Sequence, residues 1–156
     1  MNKEKFCLSS KIIDLSESEN KSYIEMTNLV CYYDEPNLNG VRLPSEDAEQ
    51  VAETGIDMPG YAKYRVNDKG QPTFGSHEVY LDDDGEIAFD TTPIGVHTSV
   101  EIVDDTVVVS GVQKTLPVLM AKQKIWTRNK NAVAAIRRLY SEGKLHNSWE
   151  ISNNAY

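Results

Sequence analysis

The sequence predicts a β-rich α+β domain, in which a barrel-like antiparallel sheet carries two flanking helices. Three observations favour this fold. Short runs of β-branched and aromatic residues recur along the 156-residue chain. Turn-forming residues separate these runs. Helical periodicity is confined to two stretches, residues 45–55 and 129–143, and this ratio of strands to helices is typical of a sheet with helices packed against it.

The first third of the chain holds two predicted strands and one predicted helix. Residues 5–13 and 22–33 are rich in β-branched and aromatic side chains. The segment 34–40, DEPNLNG, contains several turn formers and predicts a turn. Residues 45–55 predict a short helix. Ser45 is expected to cap it, because a hydroxyl at this position accepts a bond from a free backbone N–H.

Two hairpins are predicted in the middle of the chain. Residues 77–91 show apolar alternation on either side of Asp84-Gly85, a dipeptide that favours a tight turn between strands. Residues 97–113 repeat this pattern, and here Asp104-Asp105 is expected at the turn. Both segments should therefore contribute pairs of antiparallel strands.

A strand, the strongest predicted helix and a final strand complete the chain. Residues 116–126 are a further strand candidate. Residues 129–143 carry the apolar stripe of an amphipathic helix, and Gly143 is expected to end it. The segment 144–152, KLHNSWEIS, returns to a strand pattern.

Composition and charge exclude several classes of function. The formal net charge of −8 argues against a nucleic-acid binder, which would show a basic face, and against adsorption to anionic membranes. No apolar run approaches the roughly 20 residues that span a bilayer. The charged segment MNKEKFCLSS is not a signal peptide. Cys7 and Cys31 form no CxxC pair, so a reducing cytosolic setting fits best.

One serine and three histidines are the candidates for chemistry. A serine hydroxyl becomes a nucleophile only when a base lies within hydrogen-bond distance. Ser148 stands at the start of the final strand, and the histidines are His77, His97 and His146. Spacing along the chain cannot show which of them reaches the serine, so an ordinary structural serine stays an open alternative here. No HExxH or CxxC spacing supports a metal site, and no metal or other cofactor is expected.

Four segments, EPNLNGVRLP, FGSHEVYL, TPIGVHTSVEIVDDTVVVSG and AIRRLYSEGKLHNSWEIS, stand in an order that resembles a known family. They resemble the prohead (capsid-maturation) serine proteases of tailed bacteriophages, which are relatives of herpesvirus assemblin. In that family a glycine-preceded histidine, an "IG" strand and an acidic hairpin precede a helix that leads into the serine strand. The resemblance covers residues 22–152, and LYSEGKLHNSWEI is its most specific part.

The resemblance implies an assemblin-like antiparallel β-barrel with flanking helices, formed by residues 1–156 as a single protease domain. It implies a serine endopeptidase with an acyl-enzyme mechanism. The expected substrates are phage scaffold and major capsid proteins, and the protease itself, inside the assembling procapsid in the host cytoplasm. Homodimer formation is a further expectation. The alternative is a non-enzymatic capsid-associated or scaffold-like protein that retains the protease fold.

Carried over residue by residue, Ser148 matches the nucleophile of the family. The glycine-preceded sequence GSH makes His77 the favoured base, and His97, which follows "IG", is the alternative. His146 is the poorest candidate, since neighbours on one strand rarely direct functional atoms at each other. Backbone N–H groups or an arginine would stabilise the oxyanion, and Arg138 is a weak candidate because cations late in a helix also suit its negative end.

The third catalytic member is where the sequence departs from the family pattern, in which a residue after the serine orients the base. Glu150 is the one acid after Ser148 and is a weak candidate. Glu78, Asp90 and the aspartates of 82–84 are the upstream candidates. Truncation at the C-terminal end, in a shortened or self-cleaved form, is the other explanation for the missing member.

Overall fold

The computed structural model describes residues 4–19, 21–36, 42–75 and 79–153. The strands are β1 Glu4–Glu17, β2 Tyr23–Tyr32, β3 Pro59–Val66, β4 Pro72–Gly75, β5 Val79–Leu81, β6 Ile87–Phe89, β7 Thr92–Val109, β8 Val112–Trp126 and β9 His146–Asn153. The helices are α1 Ala48–Gly55, which continues a 3₁₀ turn at Ser45–Asp47, and α2 Lys130–Ser141. In the described ranges, neither helix is long and apolar enough to cross a membrane.

Seven of these strands form one sheet in the order β4-β3-β7-β8-β2-β1-β9. Neighbouring strands are antiparallel throughout, and the sheet curls into a half-barrel. Strands β4 and β9 are its two edges, while β5 and β6 form a separate two-stranded ribbon. The predicted β-rich α+β class, with its antiparallel sheet and two helices, is confirmed.

Strand β2 shows why the sheet has one buried face. Successive side chains of a strand point to opposite faces, and every second residue of β2 from Ile24 to Val30 is buried. Its pairing with β8 places Ile24 opposite Ile125 and Asn28 opposite Ala121. All four of these residues are at most 1% exposed, so they lie on the same inner face.

Each helix covers one part of this inner face. Helix α1 packs against β7, and the α1 cluster consists of Val30, Tyr33, Ala48, Ala52, Val100, Leu119 and Ala121. Helix α2 packs with its apolar stripe inward, and the α2 cluster consists of Ile12, Ile24, Met26, Ile94, Ile125, Ala132, Val133, Ile136 and Leu145. Burial of the larger side chains in these clusters contributes roughly 1.5–3 kcal/mol each, which is why the amphipathic helices dock on the sheet.

The hairpin of β7 and β8 turns at a different place from the one predicted. Strand β7 runs through Asp104 and Asp105 without a break, and the chain reverses at Ser110 and Gly111. Both turn residues have positive φ, 51° and 78°, as a two-residue hairpin loop between twisted strands requires. The predicted turn at Asp104-Asp105 is therefore wrong.

Other predicted elements differ from the structure in smaller ways. The predicted cap at Ser45 is wrong, because this residue lies inside the 3₁₀ turn and its backbone N–H donates to Asp34 Oδ1 at 3.0 Å. Strands β3 and β4 occupy a stretch for which the sequence predicted no element. The predicted turn at 34–40 lies in part outside the described residues.

Candidate functional site

The end of α2 fixes the direction in which the chain enters β9. The N–H of Lys144 donates to the carbonyl of Leu139 at 2.8 Å, and the N–H of Gly143 donates to that of Tyr140 at 3.0 Å. These two bonds form a Schellman motif, which needs a left-handed residue, and Gly143 has a φ of 68°. Leu145 then enters the α2 cluster. Strand β9 therefore starts from an anchored point.

Ser148 lies in β9, at the edge of the sheet. Its backbone pairs with Ser9 of β1, and that of Glu150 pairs with Cys7. No second described strand pairs with β9. An edge strand of this kind can receive an extended polypeptide through main-chain hydrogen bonds.

The favoured base, His77, lies outside the described residues, as does Glu78. Strand β4, which precedes His77 in the sequence, packs against α2. Arg138 joins the two elements, because its Nε donates to the carbonyl of Pro72 at 2.7 Å. Phe74 of β4 also packs against the α2 cluster. Helix α2 thus contacts one edge strand and leads directly into the other.

The arginine considered for oxyanion stabilisation has structural partners. Besides Pro72, Arg138 reaches Glu142, with Nη1 2.9 Å from Oε2. Its side chain is 18% exposed. Arg137, the next residue, forms an ion pair with Glu17 of β1. Through these contacts Arg138 connects α2 to β4, and Arg137 connects α2 to β1.

The alternative base, His97, lies inside the domain and is 4% exposed. Its Nδ1 lies 2.7 Å from the carbonyl oxygen of Met58. Because a carbonyl oxygen only accepts, Nδ1 carries the proton of the neutral ring. Burial lowers the pKa of His97, and the bond to Met58 opposes this shift in part. The ring therefore stays neutral at pH 7.

His97 belongs to a layer of polar side chains between the two apolar clusters. Asn28, His97 and Gln123 are all at most 4% exposed. His97 pairs with Gln123 across β7 and β8. Asn147 of β9 donates from Nδ2 to Gln123 Oε1 at 3.5 Å, the long limit of a hydrogen bond. We call these four residues the polar layer.

The polar layer depends on a close approach of β3. A Cβ atom on Gly60 would lie 1.5 Å from Gln123 Nε2, so the amide of Gln123 occupies the space that any other residue would fill. Sequence reasoning missed Asn28 and Gln123. The signal that could have found Asn28 is its position in the alternation of β2, where it follows the apolar Ile24 and Met26 in steps of two.

The remaining candidates lie at the surface. His146 is exposed at the start of β9 and pairs with Lys11. Asp90 forms an ion pair with Lys63. Asp82 accepts the N–H groups of its own turn. Within the described ranges, no group of three or more His, Cys, Asp or Glu side chains is placed to hold a metal ion.

A cleft of about 440 Å³ lies at the other end of α2. Strands β3 and β7 and the start of α2 form its walls. Its lining residues are Ala62, Tyr64, Thr92, Ile94, Arg128, Asn129, Lys130, Asn131 and Ala132. Helix α2, with 12 residues, is about 18 Å long at 1.5 Å per residue, so it separates the cleft from the start of β9.

The fold defines the chain as a β-rich α+β domain, with two helices on a half-barrel sheet and a candidate serine on one edge strand. Residues 21–156 match the protein-family model of the YonD N-terminal domain. The chain belongs to the YonD N-terminal domain family. The match includes every strand except β1. No curated protein and no solved structure matches the chain.

Proposed function

We propose that this domain is a serine endopeptidase of the phage prohead-protease type, with Ser148 as the nucleophile. Its substrates are scaffold and major capsid proteins and the protease itself, and it acts inside the assembling procapsid in the host cytoplasm. The observation that carries the proposal is the position of α2. This helix packs against β4, which precedes His77 in the sequence, and leads through an anchored turn into β9 with Ser148.

The proposed mechanism is acyl transfer. His77 removes the proton of the Ser148 hydroxyl as its oxygen attacks a peptide carbonyl carbon. The same histidine then gives the proton to the leaving amine, and the C–N bond breaks. Water, activated by His77, hydrolyses the acyl-enzyme and returns the serine. Backbone N–H groups would stabilise the oxyanion, and Arg138 could do so only by giving up its bonds to Pro72 and Glu142.

The environment of His97 supports His77 as the base. A general base must reach the proton that it removes, within about 3 Å or through one water. His97 is 4% exposed and is bonded to the backbone of Met58, so a peptide could reach it only after a rearrangement of the sheet. We assign His97 a structural role in the polar layer.

The test is mass spectrometry of the purified protein and of a capsid or scaffold protein incubated with it. Ser148→Ala should abolish cleavage. His77→Ala should lower the rate by about 10⁴-fold, as expected for loss of a general base. His97→Ala should lower the free energy of unfolding, while the protein that stays folded should cleave at close to the wild-type rate. His146→Ala, at an exposed position, is the control.

Three results would contradict parts of the proposal. Cleavage that survives Ser148→Ala would exclude Ser148 as the nucleophile. A wild-type protein that cleaves neither itself nor capsid proteins, and that does not react with a fluorophosphonate probe, would favour the non-enzymatic capsid-associated protein instead. A loss of rate confined to His97→Ala, with unchanged stability, would reverse the assignment of the two histidines.

A further inference from the structure

The ribbon of β5 and β6 stands apart from the main sheet. Tyr80 pairs with Ala88, and Leu81 pairs with Ile87. None of the described strands of the main sheet pairs with this ribbon. A lone two-stranded hairpin is at best marginally stable in water, so a ribbon of this kind gains most from a further strand or a covering surface.

The end of the ribbon exposes apolar side chains. Leu81 and Ile87 are directly opposite each other and are 68% and 67% exposed. Directly paired residues lie on the same face of a ribbon, so these two form one continuous apolar surface. Tyr80 on the other face is 51% exposed.

A hydrogen-bonded acidic turn borders this apolar pair. The N–H of Asp82 donates to the carbonyl of Glu86 at 2.9 Å, and Gly85 adopts the left-handed conformation that the turn requires, with a φ of 79°. The turn carries four exposed carboxylates, on Asp82, Asp83, Asp84 and Glu86. The ribbon contains no Lys or Arg to neutralise them.

We propose that the ribbon is a docking surface for an extended polypeptide segment in which apolar and basic residues alternate. Apolar side chains of that segment cover Leu81 and Ile87, and its lysines or arginines meet the carboxylates of the turn. The inference goes beyond the proposed function and does not depend on it, because docking needs neither Ser148 nor a histidine.

Charge favours a basic polypeptide over a second copy of the chain, anionic lipid or nucleic acid as the molecule that covers the ribbon. A second copy of the chain carries the same net charge of −8 and the same acidic turn, so close approach of two ribbons is repelled. Anionic lipid and nucleic acid are repelled for the same reason. A basic, apolar polypeptide is attracted by the turn and removes the exposed apolar pair from water, and strand addition is a common mode of peptide recognition.

The test uses fluorescence anisotropy of labelled peptides of about ten residues, long enough to span a typical strand. The probe alternates Lys and Val, and the two comparison peptides alternate Glu and Val, or Lys and Ser. The protein is the whole chain with Ser148→Ala, so that any cleavage is removed. We expect binding of the Lys-Val peptide only, weakened by added salt because the charges are exposed.

Two double variants separate the apolar and the charged contributions. Leu81→Ser/Ile87→Ser should weaken binding by about tenfold or more, through loss of buried apolar area. Asp83→Lys/Asp84→Lys should transfer the preference to the Glu-Val peptide. Val108→Ser is the matched control, since Val108 is 72% exposed on the other hairpin and should leave binding unchanged.

All variants should keep the thermal unfolding temperature of the parent, because the ribbon lies outside both apolar clusters. Equal binding of the Lys-Ser peptide would overturn the proposal by showing a charge effect alone. Binding that is unchanged in Leu81→Ser/Ile87→Ser, or lost in Val108→Ser, would place the docking surface elsewhere. Absence of Lys-Val binding to the parent would also overturn it.

Discussion

At the scale of single residues, His97 and Asn28 are two polar side chains that are buried in the interior of the domain. His97 is neutral, bonded to the Met58 carbonyl and paired with Gln123. The amide of Asn28 is fully buried, and neither of its polar atoms has a hydrogen-bond partner among the described groups. A buried polar group without a partner costs roughly 1–3 kcal/mol, so Asn28 is held at the expense of stability.

His97 should make the domain less stable in mild acid. Its pKa is lowered in the folded state, so between that lowered pKa and the ordinary value near 6.5 the unfolded chain binds the extra proton. The contribution of His97 to the free energy of unfolding should therefore be fully present above about pH 7. It should fall as the pH drops below about 6.5, by at most about 1.4 kcal/mol per pH unit for one proton.

Urea unfolding of the wild type and of His97→Gln between about pH 7 and pH 5 checks this. In His97→Gln the free energy of unfolding should no longer fall with pH over this range. In His146→Gln, at an exposed position, it should fall as in the wild type. An unchanged slope in His97→Gln would mean that another group causes the pH dependence.

Replacement of Asn28 by an apolar residue should stabilise the domain. Asn28→Val removes the buried amide and adds a side chain that strands favour, so the free energy of unfolding should rise by about 1 kcal/mol. Thr27→Val, a half-buried neighbour on the same strand, is the control and should change little. A loss of stability in Asn28→Val would reveal a partner of the amide, such as a bound water.

At the scale of elements, the junction of α2 and β9 is the best-defined part of the candidate site. The sequence predicted both elements and the role of Gly143, because an apolar stripe followed by glycine is a strong local signal. The hairpin of β7 and β8 was harder to predict. Asp104 and Asp105 look like turn formers, yet they lie within the long β7–β8 hairpin, where Asp105 accepts a bond from the Tyr32 hydroxyl at 3.3 Å.

Gly143→Ala should weaken the end of α2. A residue with Cβ at a φ of 68° costs roughly 1 kcal/mol more than glycine, so the free energy of unfolding should fall by about this amount. Asn tolerates this conformation better than Ala, and Gly143→Asn should lose less. Thermal unfolding of the three proteins checks the order. Equal stability of Gly143→Ala and the wild type would contradict the Schellman motif at the end of α2.

At the scale of the whole molecule, the polar layer connects strands that are distant in the sequence. The sequence predicted the class of fold, since that follows from local patterns. It could not predict that Gln123 would lie beside Gly60, or that Asn147 would reach Gln123, because such contacts depend on how the sheet curls. The pairing of Ser148 with His77 is of the same kind and stays a prediction.

A double-mutant cycle should reveal the contact between β3 and β8. Gly60→Ala forces its Cβ into the buried amide of Gln123 and should cost about 2 kcal/mol, typical of overpacking. Gln123→Ala removes the obstacle, so Gly60→Ala should cost much less in that background. Chemical unfolding of the four proteins measures this coupling. Additive losses would show that the two residues do not compete for space.

The pairing of β1 with β9 also determines when, during translation, the β9 edge of the sheet can form. Strand β1 leaves the ribosome before every other described strand, and β9 leaves it after all of them. Their register joins residue 9 to residue 148, so the β9 edge of the sheet cannot form until translation has passed through β9. A nascent chain that ends before β9 therefore lacks this edge of the sheet, although the strands between β1 and β8 are already present.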